Sequence, residues 1–462
     1  MNIKNTKSIY FNINEIKKFT FTQEQYINLE REYNRYTIYN KLIQNIEKIL
    51  NINDSFDYNK RKKYENKNII ERFVLECINH GISPHINTIN TINTINTINS
   101  ATTINNANTV NTINNANTVN IINNANNDIN YNELVNYIFF NSSLNNGKLK
   151  NIYYFEKMIS EYNEKKFKIS SEIILNIEKA FINADKTFIK INKDFIILLK
   201  NNIVNISKQV ECSIKFDTSS NFIIKYREFI KMIDSNRYYK LMKNYDKPFP
   251  YDIMLMILRY SIFDTSSQQW SIGIDLYETI SELFNISFET FASPLNFNMY
   301  RFCSIFYDTD NMFGSVGSFY NLTSENLLMQ NIQGVFFNPP YLPILMKKCV
   351  AQCLNILDEM NKHNKDFNIF SFLPNWEDAD YIKSFIHSKY MVDYKIVNKG
   401  NYILQEKDKG KLITGTFDLL VIVLNSNKMK FDDSKKLEMK TNFNTIIKNM
   451  KEETKELFYK KK

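Results

Sequence analysis

The residues with the clearest chemical potential are four consecutive residues that follow a short apolar segment. Asn338, Pro339, Pro340 and Tyr341 come directly after Gly334–Phe337, a run typical of a buried strand. This arrangement suits methyl transfer to a planar nitrogen such as the 6-amino group of adenine, which is a weak nucleophile because its lone pair is delocalised into the ring. The Asn338 side-chain oxygen and the Pro339 carbonyl are candidate acceptors for the two amino hydrogens.

The other residues of this tetrapeptide fit the same chemistry. Each proline ring fixes φ, which would make the two acceptors converge, and Tyr341 offers a flat face on which a base can stack. Holding the nitrogen in line with a reactive methyl group would add a proximity effect. The alternative is an ordinary strand-to-helix turn, since Asn is a common N-cap and Pro is common in the first helical turn.

Candidate cofactor-binding residues follow two upstream strands, predicted at 287–291 and 302–306. The first strand leads into the place where a dinucleotide-binding fold carries its glycine-rich loop, although GxGxxG is absent. The second is followed by an Asp-Thr-Asp run that could accept hydrogen bonds from a ribose diol, or could serve only as a turn. The candidates are Ser293, Pro294, Leu295, Asn296, Asp308 and Asp310.

The elements that must position these residues alternate between strands and helices. Helices are predicted at Ile274–Phe284 and at 342–361. Short apolar strands alternating with helices predict an α/β fold with a mostly parallel sheet, whose ligands bind at the carboxyl ends of the strands. The predicted strands are 287–291, 302–306, Gly334–Phe337, 367–373, 394–397 and 417–424.

The rest of the chain is predicted to be largely helical, with one interruption. The tract 85–131 repeats short Asn, Thr and Ile units and favours a disordered insertion, with a β-solenoid as the alternative. Helices are predicted at 24–51, 69–78, 132–162, 222–243 and 250–263. The predicted domains are a helical region 1–84, the insertion 85–131, a helical domain 132–270, the α/β domain 271–425 and a Lys-rich tail 426–462.

The composition limits the possible folds and partners. With 9 Gly and 8 Pro among 462 residues, the chain has too few turn residues for an all-β sandwich or a propeller. The 58 Lys and Arg against 49 Asp and Glu give a net charge of +9, which is compatible with a polyanionic partner. The sequence shows no apolar core of a secretory signal and no apolar run of membrane-spanning length, so no membrane partner is predicted.

The cysteines and histidines point to no further chemistry. Five scattered cysteines argue against a disulfide framework and favour a reducing compartment. Cys349 and Cys353 would share one helix face and are predicted to pack in a core. Cys77, His80 and His85 lack a fourth ligand, so no metal site is predicted.

Three motifs in order give the chain a family resemblance. The runs FETFASPLNFNMYRFCSIFYDTDNMFGSVGSF (288–319), FFNPPY (336–341) and FSFLPNW (370–376) resemble the catalytic core of the phosphorylated-CTD-interacting factor family, the cap-specific adenosine N6-methyltransferases. The resemblance covers about 250–425. It implies a Rossmann-like class I methyltransferase domain, preceded by an α-helical domain, that uses S-adenosyl-L-methionine.

The resemblance also implies a substrate, a set of roles and a location. The substrate would be the capped 5′ end of mRNA, methylated on the 6-amino group of the 2′-O-methyladenosine next to the cap, in the nucleus or alternatively the cytoplasm. Asn338, Pro339, Pro340 and Tyr341 would form the catalytic loop, with the six residues named above on the cofactor side. Trp376 would border the substrate, or would serve only in packing.

The sequence departs from the family pattern at several positions. Tyr341 stands where relatives usually have Phe, Pro343 replaces an acidic residue and Glu377 replaces a basic one, the last two where cap contacts are expected. The family's WW domain needs two tryptophans close together, whereas Trp270 and Trp376 are far apart. The sequence therefore predicts that this domain is missing and that the chain does not bind the RNA polymerase II tail.

Arginines of the helical region are candidates for RNA contacts, because a guanidinium group matches a phosphate better than an ammonium group does. They are Arg31, Arg35, Arg227, Arg237 and Arg259. Two other functions stay open for the chain. It could be a non-catalytic RNA-binding scaffold with the same fold, or a methyltransferase for another nucleic acid or a protein amide nitrogen.

Overall fold

The computed structural model describes most of the C-terminal half and several separate segments before it. These ranges are 16–19, 21, 23–51, 144–145, 148–149, 171–200, 212–216, 221–243, 250–261 and 269–460 without 342, 377 and 408. The predicted helix 69–78, the insertion 85–131 and the Cys77, His80 and His85 group lie outside the described residues. So does most of the predicted helix 132–162, within which two short paired strands are described.

The described part of the chain contains ten α-helices and fifteen strands. The helices are α1 Gln23–Asn51, α2 Ser171–Lys200, α3 Ser235–Lys243, α4 Pro250–Tyr260, α5 Ile274–Phe284, α6 Tyr307–Asp310, α7 Ser324–Met329, α8 Pro343–Lys362, α9 Asp380–Ile386 and α10 Asp433–Lys460. None of them combines the length and the hydrophobicity that a membrane-spanning helix needs. The strands are β1 Ile16–Phe19, β2 Leu144–Asn145, β3 Lys148–Leu149, β4 Cys212–Phe216, β5 Asn221–Tyr226, β6 Phe229–Asp234, β7 Trp270–Ser271, β8 Phe288–Glu289, β9 Arg301–Phe302, β10 Gly334–Phe337, β11 Asn368–Pro374, β12 Met391–Val397, β13 Ile403–Glu406, β14 Lys411–Thr414 and β15 Leu419–Asn425.

The chain divides into two compact units. The helical unit comprises Thr20–Glu211 and Ile257–Thr265, and the sheet unit comprises Met1–Phe19, Cys212–Met256 and Ser266–Lys462. In the helical unit, α1 packs against α2. The sheet unit holds three of the sheets, namely the central six-stranded sheet, the sheet β1-β4-β5-β6 and the sheet β14-β13-β7.

The central sheet confirms the α/β prediction, as a mixed sheet with a parallel core. Its order is β12-β15-β11-β10-β8-β9. Strands β11, β10, β8 and β9 run parallel, and β15 runs antiparallel to both β11 and β12. The chain leaves β8 to form β9 on one side and then forms β10 on the other side of β8. A sheet of this kind binds ligands beyond the carboxyl ends of the strands, at the point where the strand order reverses.

Both faces of this sheet are covered, which explains why its strands are continuous apolar runs. On one face, Val335 and Phe337 of β10 pack in a cluster with Cys349 and Cys353 of α8, so the prediction that these cysteines lie in a core is confirmed. On the other face, Phe336 packs in a second cluster with residues of α5 and α10.

The Lys-rich segment 426–462, predicted as a tail, contains the long helix α10, and one face of that helix is buried. Its buried residues recur at helical spacing along one face and belong to the second cluster of the central sheet, while most of its lysines are exposed. The apolar residues are sparse along the sequence, but the helix brings them together on one side. They are Met439, Phe443, Ile446, Ile447 and Met450.

The predicted helix 222–243 is also wrong in its first half. Strands β5 and β6 pair antiparallel there, and only Ser235–Lys243 is helical. Phe222, Ile224 and Tyr226 are buried, which is the period of two expected for a strand. A tight hairpin turn usually places Gly, Asn or Asp at the residue that adopts a positive φ. Here Arg227 adopts that conformation, with φ of 53°, so the sequence contains no signal for the turn.

Candidate functional site

The candidate site lies where the chain leaves β8 and β10, at the carboxyl edge of the central sheet. Thr290, the first residue after β8, donates both its amide hydrogen (3.0 Å) and its hydroxyl hydrogen (3.1 Å) to the Phe336 carbonyl in β10. These bonds join the two strand ends. The loops that begin at 291 and at 338 therefore start side by side, at the reversal point of the strand order.

Asn338 and Tyr341 are joined by a hydrogen bond between their side chains. The Tyr341 hydroxyl donates to Asn338 Oδ1 at 2.9 Å, and the Phe372 carbonyl lies 3.4 Å from the same hydroxyl. Both side chains are partly buried. Burial raises the pKa of Tyr341, so the hydroxyl keeps its hydrogen and acts as a donor. An amide oxygen has two lone pairs, and Asn338 Oδ1 can therefore accept a second hydrogen.

The Tyr341 ring is braced by residues far away in the sequence. It meets the Phe417 ring edge-on, with ring centres 5.5 Å apart and planes at 88°. The Phe417 carbonyl accepts a hydrogen bond of 2.8 Å from the Tyr402 hydroxyl. Gly415 makes room for Tyr402, because a Cβ at this position would lie 2.0 Å from Cζ of that ring. The predicted stacking role of Tyr341 on a base stays a prediction.

The loop after β8 is held in shape by its own side chains and by side chains from other segments. The Ser293 amide donates to Asn296 Oδ1 at 2.7 Å, and the Ser293 hydroxyl donates to Gln269 Oε1 at 2.7 Å. Pro294 and Leu295 are buried. These four predicted cofactor residues come together in one turn, but the polar atoms of Ser293 serve that turn. Their contact with a cofactor stays a prediction.

The structure separates Asp308 from Asp310. Strand β9 ends at Phe302, earlier than predicted, and both aspartates lie in the short helix α6. Asp308 is exposed, whereas Asp310 is fully buried and its Oδ1 accepts a hydrogen bond of 2.9 Å from the Thr309 hydroxyl. Only Asp308 is therefore accessible to a soluble ligand.

Trp376 follows β11, as predicted. It is partly buried and packs against the cluster that contains Phe337 and Cys353, while its amide donates to the Pro374 carbonyl at 2.9 Å. Packing is thus one role of this side chain, and contact with substrate stays a prediction. Pro343 begins α8, and residue 377 lies outside the described residues.

A family model matches this part of the chain. It is described as the Phosphorylated CTD interacting factor 1 WW domain, and the matched residues are 230–406. The prediction that this domain is missing is therefore wrong, and the prediction that the chain does not bind the polymerase tail loses its basis. The error came from the tryptophan spacing, since the matched segment contains both Trp270 and Trp376 despite the distance between them.

Two curated relatives match a shorter segment. The mouse protein, an mRNA (2′-O-methyladenosine-N(6)-)-methyltransferase, is 32% identical over 124 residues, which is 27% of this chain and 16% of the relative. The human protein of the same name is 30% identical over 124 residues, with the same shares of the two chains. The chain therefore matches about a sixth of the length of these relatives.

The predicted RNA contacts Arg35 and Arg259 are buried in the helical unit, with 2% and 5% of their surface exposed. Arg259 binds both carboxylate oxygens of Glu32 at 2.8 Å, and Arg35 pairs with the same carboxylate. Burial alone would raise the pKa of Glu32, but Arg259 and Arg35 outweigh it and lower that pKa. Arg31 approaches the same carboxylate to 4.0 Å.

This cluster corrects the prediction for two of the arginines. Residues so deeply buried cannot serve as surface contacts to phosphate, so the predicted RNA-binding role of Arg35 and Arg259 is wrong. The helical spacing of α1 identified a helix, but a spacing pattern does not show which polar residues a second segment covers. Arg227 is exposed in the β5–β6 turn, and its predicted role stays untested.

Sequence reasoning missed the residues that fix the loop after β8. Arg237 of α3, predicted as an RNA contact, is buried and donates to the Phe297 carbonyl at 2.8 Å, and Lys240 donates to the Asn298 carbonyl at 2.9 Å. Glu289 accepts from the Asn298 amide at 2.7 Å. Its presence at the end of an apolar strand was the signal that could have identified it.

Burial is the largest influence on the pKa values of Glu289 and Lys240, which bind this loop. It raises the pKa of Glu289, although the amides of Asn298 and Met299 partly oppose that change. Burial and the charge of Arg237 lower the pKa of Lys240 to about 8. Arg237, Lys240 and Glu289 therefore all bind backbone groups of the loop after β8.

Proposed function

We propose that this chain is a methyltransferase that moves a methyl group from S-adenosyl-L-methionine to the 6-amino group of the adenosine next to an mRNA cap. The main supporting observation is the position of Asn338: its carboxamide oxygen lies at the carboxyl ends of the parallel strands and, among the described residues, accepts one hydrogen bond of the two that such an oxygen can accept. The matched family model and the names of the two relatives support this proposal.

The finer fold is part of the proposal. The order of the six central strands, with β15 as the antiparallel strand, supports a Rossmann-like class I methyltransferase domain. The reversal point between β8 and β10 would then be the shared edge of the cofactor and substrate sites. The nucleus is the proposed location, on the family resemblance alone.

The residues at this edge fit the proposed cofactor. An adenosyl group needs an acceptor for its ribose hydroxyls, and the exposed carboxylate of Asp308 in α6 has the right chemistry. Asp310 is buried and does not fit this role. When bound, S-adenosyl-L-methionine supplies an electrophilic methyl group on a sulfonium centre.

The chain's own residues would activate and position the amino group. Asn338 Oδ1 accepts one amino hydrogen, and the Pro339 carbonyl accepts the other. Both oxygens stabilise the positive charge that develops on the nitrogen as it forms its new bond. Because the two strand ends are joined by Thr290, the acceptor is held rigidly relative to the cofactor side of the edge.

The test is methyl incorporation from labelled S-adenosyl-L-methionine into matched RNAs that begin with adenosine, with and without a 7-methylguanosine cap. We expect labelling at the first adenosine of the capped RNA only. Labelling that does not depend on the cap, or labelling of duplex DNA or peptide, would support methyl transfer but contradict the proposed cap-adjacent substrate.

Calorimetry with S-adenosylhomocysteine separates the remaining outcomes. Binding without any labelling would contradict the proposed substrate class, whereas a folded protein that neither binds nor labels would be a non-catalytic scaffold. The Asn338→Ala variant is the control, since it should bind S-adenosylhomocysteine as the wild type does and should label RNA about 10²- to 10³-fold more slowly.

A further inference from the structure

The hydrogen bond from Tyr341 to Asn338 gives the tyrosine hydroxyl a task separate from that of its ring. We propose that this hydroxyl is a positioning group that holds the Asn338 carboxamide with its oxygen, rather than its amide nitrogen, directed to accept a hydrogen from the substrate amine. The inference rests on the proposed function and adds a residue role to it. Its basis is the 2.9 Å contact between the Tyr341 hydroxyl and Asn338 Oδ1.

The hydroxyl can orient the carboxamide in this chain because the two ends of that group are nearly equal in shape and opposite in hydrogen bonding. The oxygen accepts two hydrogen bonds, and the nitrogen donates two. A half-turn of the Asn338 side-chain amide would present N–H groups to an amine that also needs to donate. The hydrogen bond that draws electron density toward the amine nitrogen would then be lost.

The local geometry favours one of the two orientations. With Oδ1 toward Tyr341, the hydroxyl donates over 2.9 Å. With the amide turned, the hydroxyl hydrogen would have to go to the Phe372 carbonyl, which lies 3.4 Å away and beyond the usual range of O–H···O bonds. Burial raises the pKa of Tyr341, so the hydroxyl keeps its hydrogen and a turned amide would cost it the nearer acceptor.

The hydroxyl is itself held in place from outside the tetrapeptide. The edge-on contact with Phe417 fixes the ring, and the Tyr402 hydroxyl fixes the Phe417 backbone through a 2.8 Å hydrogen bond. Gly415 allows this arrangement, since any side chain there would overlap the Tyr402 ring. Residues of the segment before β15 thus set the direction of an acceptor that follows β10.

The Tyr341→Phe variant removes the hydroxyl and keeps the ring. We expect kcat to fall about 10-fold or more, because misplacing a reacting group can cost about 100-fold. The KM for RNA and the affinity for S-adenosylhomocysteine, measured by calorimetry, should stay within about twofold, since the stacking face remains. A kcat equal to that of the wild type would overturn the inference.

Tyr390→Phe is the matched control. Tyr390 is buried, and its hydroxyl donates to the Asp358 carboxylate. It lies near the amino ends of the parallel strands, where its backbone carbonyl accepts a hydrogen bond from the Asn425 amide. We expect a similar small change in melting temperature and an unchanged kcat. If both Tyr→Phe variants lost kcat equally, the effect would be general loosening of the fold, and the positioning role would be excluded.

A double-mutant cycle with Asn338→Asp tests the orientation directly. A carboxylate has two equivalent oxygens, so there is no wrong orientation for Tyr341 to prevent. We expect the hydroxyl to matter less in the Asn338→Asp background, which appears as a non-additive cycle. If the Asn338→Asp variant is inactive, the single Tyr341→Phe and Tyr390→Phe comparison decides alone.

Failure of this inference differs from failure of the proposed function. If the wild type labels no RNA, DNA or peptide, the function fails. If it labels a substrate other than capped RNA, the same kcat ratios are measured on that substrate, and the role of Tyr341 is judged there.

Discussion

Asparagines occupy both ends of the central sheet, and the two ends use them differently. At the amino end of the parallel strands, Asn425 is fully buried; its Nδ2 donates to Asp366 Oδ1 (2.6 Å) and Asn368 Oδ1 (2.8 Å), and its Oδ1 accepts from the Asn427 amide at 2.7 Å. At the carboxyl end, Asn338 is partly buried, and among the described residues its side chain has one hydrogen-bond partner, Tyr341.

The difference separates structure from chemistry. A carboxamide whose donors and acceptor are all used inside the protein stabilises the fold and has nothing left for a ligand. A partly buried carboxamide with a free lone pair gives little stability and can bind a substrate. Residue type alone does not distinguish the two, because both are asparagines at or directly after the end of a strand.

The largest expected effect is the loss of activity in Asn338→Ala. Removing one preorganised hydrogen-bonding group of this kind reduces kcat by about 10²- to 10³-fold. Since the Asn338 side chain is partly exposed, the unfolding free energy of the variant should stay within about 0.5 kcal/mol of that of the wild type. RNA labelling measures the loss of activity, and urea unfolding measures the change in stability. A variant with full activity would contradict the proposed difference between Asn338 at the carboxyl end of the sheet and Asn425 at the amino end.

Asn425→Ala should show the opposite pattern. The substitution leaves the buried Asn368 oxygen without this donor, at a cost of about 2 kcal/mol in unfolding free energy. The kcat of the folded variant should not change, because the amino end is remote from the loops that leave β8 and β10. Urea unfolding at fixed pH, with kcat measured well below the midpoint, checks both. A selective loss of kcat without loss of stability would contradict the comparison.

The smallest expected effect is a pH dependence of the unfolding free energy that arises from Glu289. This residue lies at the carboxyl end of the sheet, but like Asn425 its side chain is hydrogen-bonded within the protein. Burial raises its pKa above the usual 4.5. The folded state therefore binds more protons than the unfolded state between 4.5 and the raised value, and the unfolding free energy falls as the pH rises through that window. Below the window the two states are equally protonated, and this loss is absent.

Glu289→Gln should remove this slope, because the amide does not titrate. Urea unfolding of both proteins across a pH series is the measurement, with Glu278→Gln on α5 as the control. A wild-type slope that persists in the Glu289→Gln variant would assign it to another group.

Local patterns were enough to predict most of the central sheet. The strand Gly334–Phe337 and the helix Ile274–Phe284 have the predicted bounds, and β11 and β15 are shifted by only one or two residues. These elements are long apolar or periodic runs, where sequence spacing directly reflects burial. The hairpin of β5 and β6 was missed because its turn lacks the usual residues and its apolar spacing also fits a helix.

The sequence by itself determined the α/β alternation and the place of the Asn-Pro-Pro-Tyr turn after β10, because each depends on neighbours along the chain. Only the tertiary structure decided which polar side chains are saturated. Glu32 meets Arg259, and Asn425 meets Asn368, across long stretches of chain, and Tyr341 is braced by Phe417. Hydrogen-bond saturation depends on partners brought together by folding, and a one-dimensional pattern contains no record of those distances.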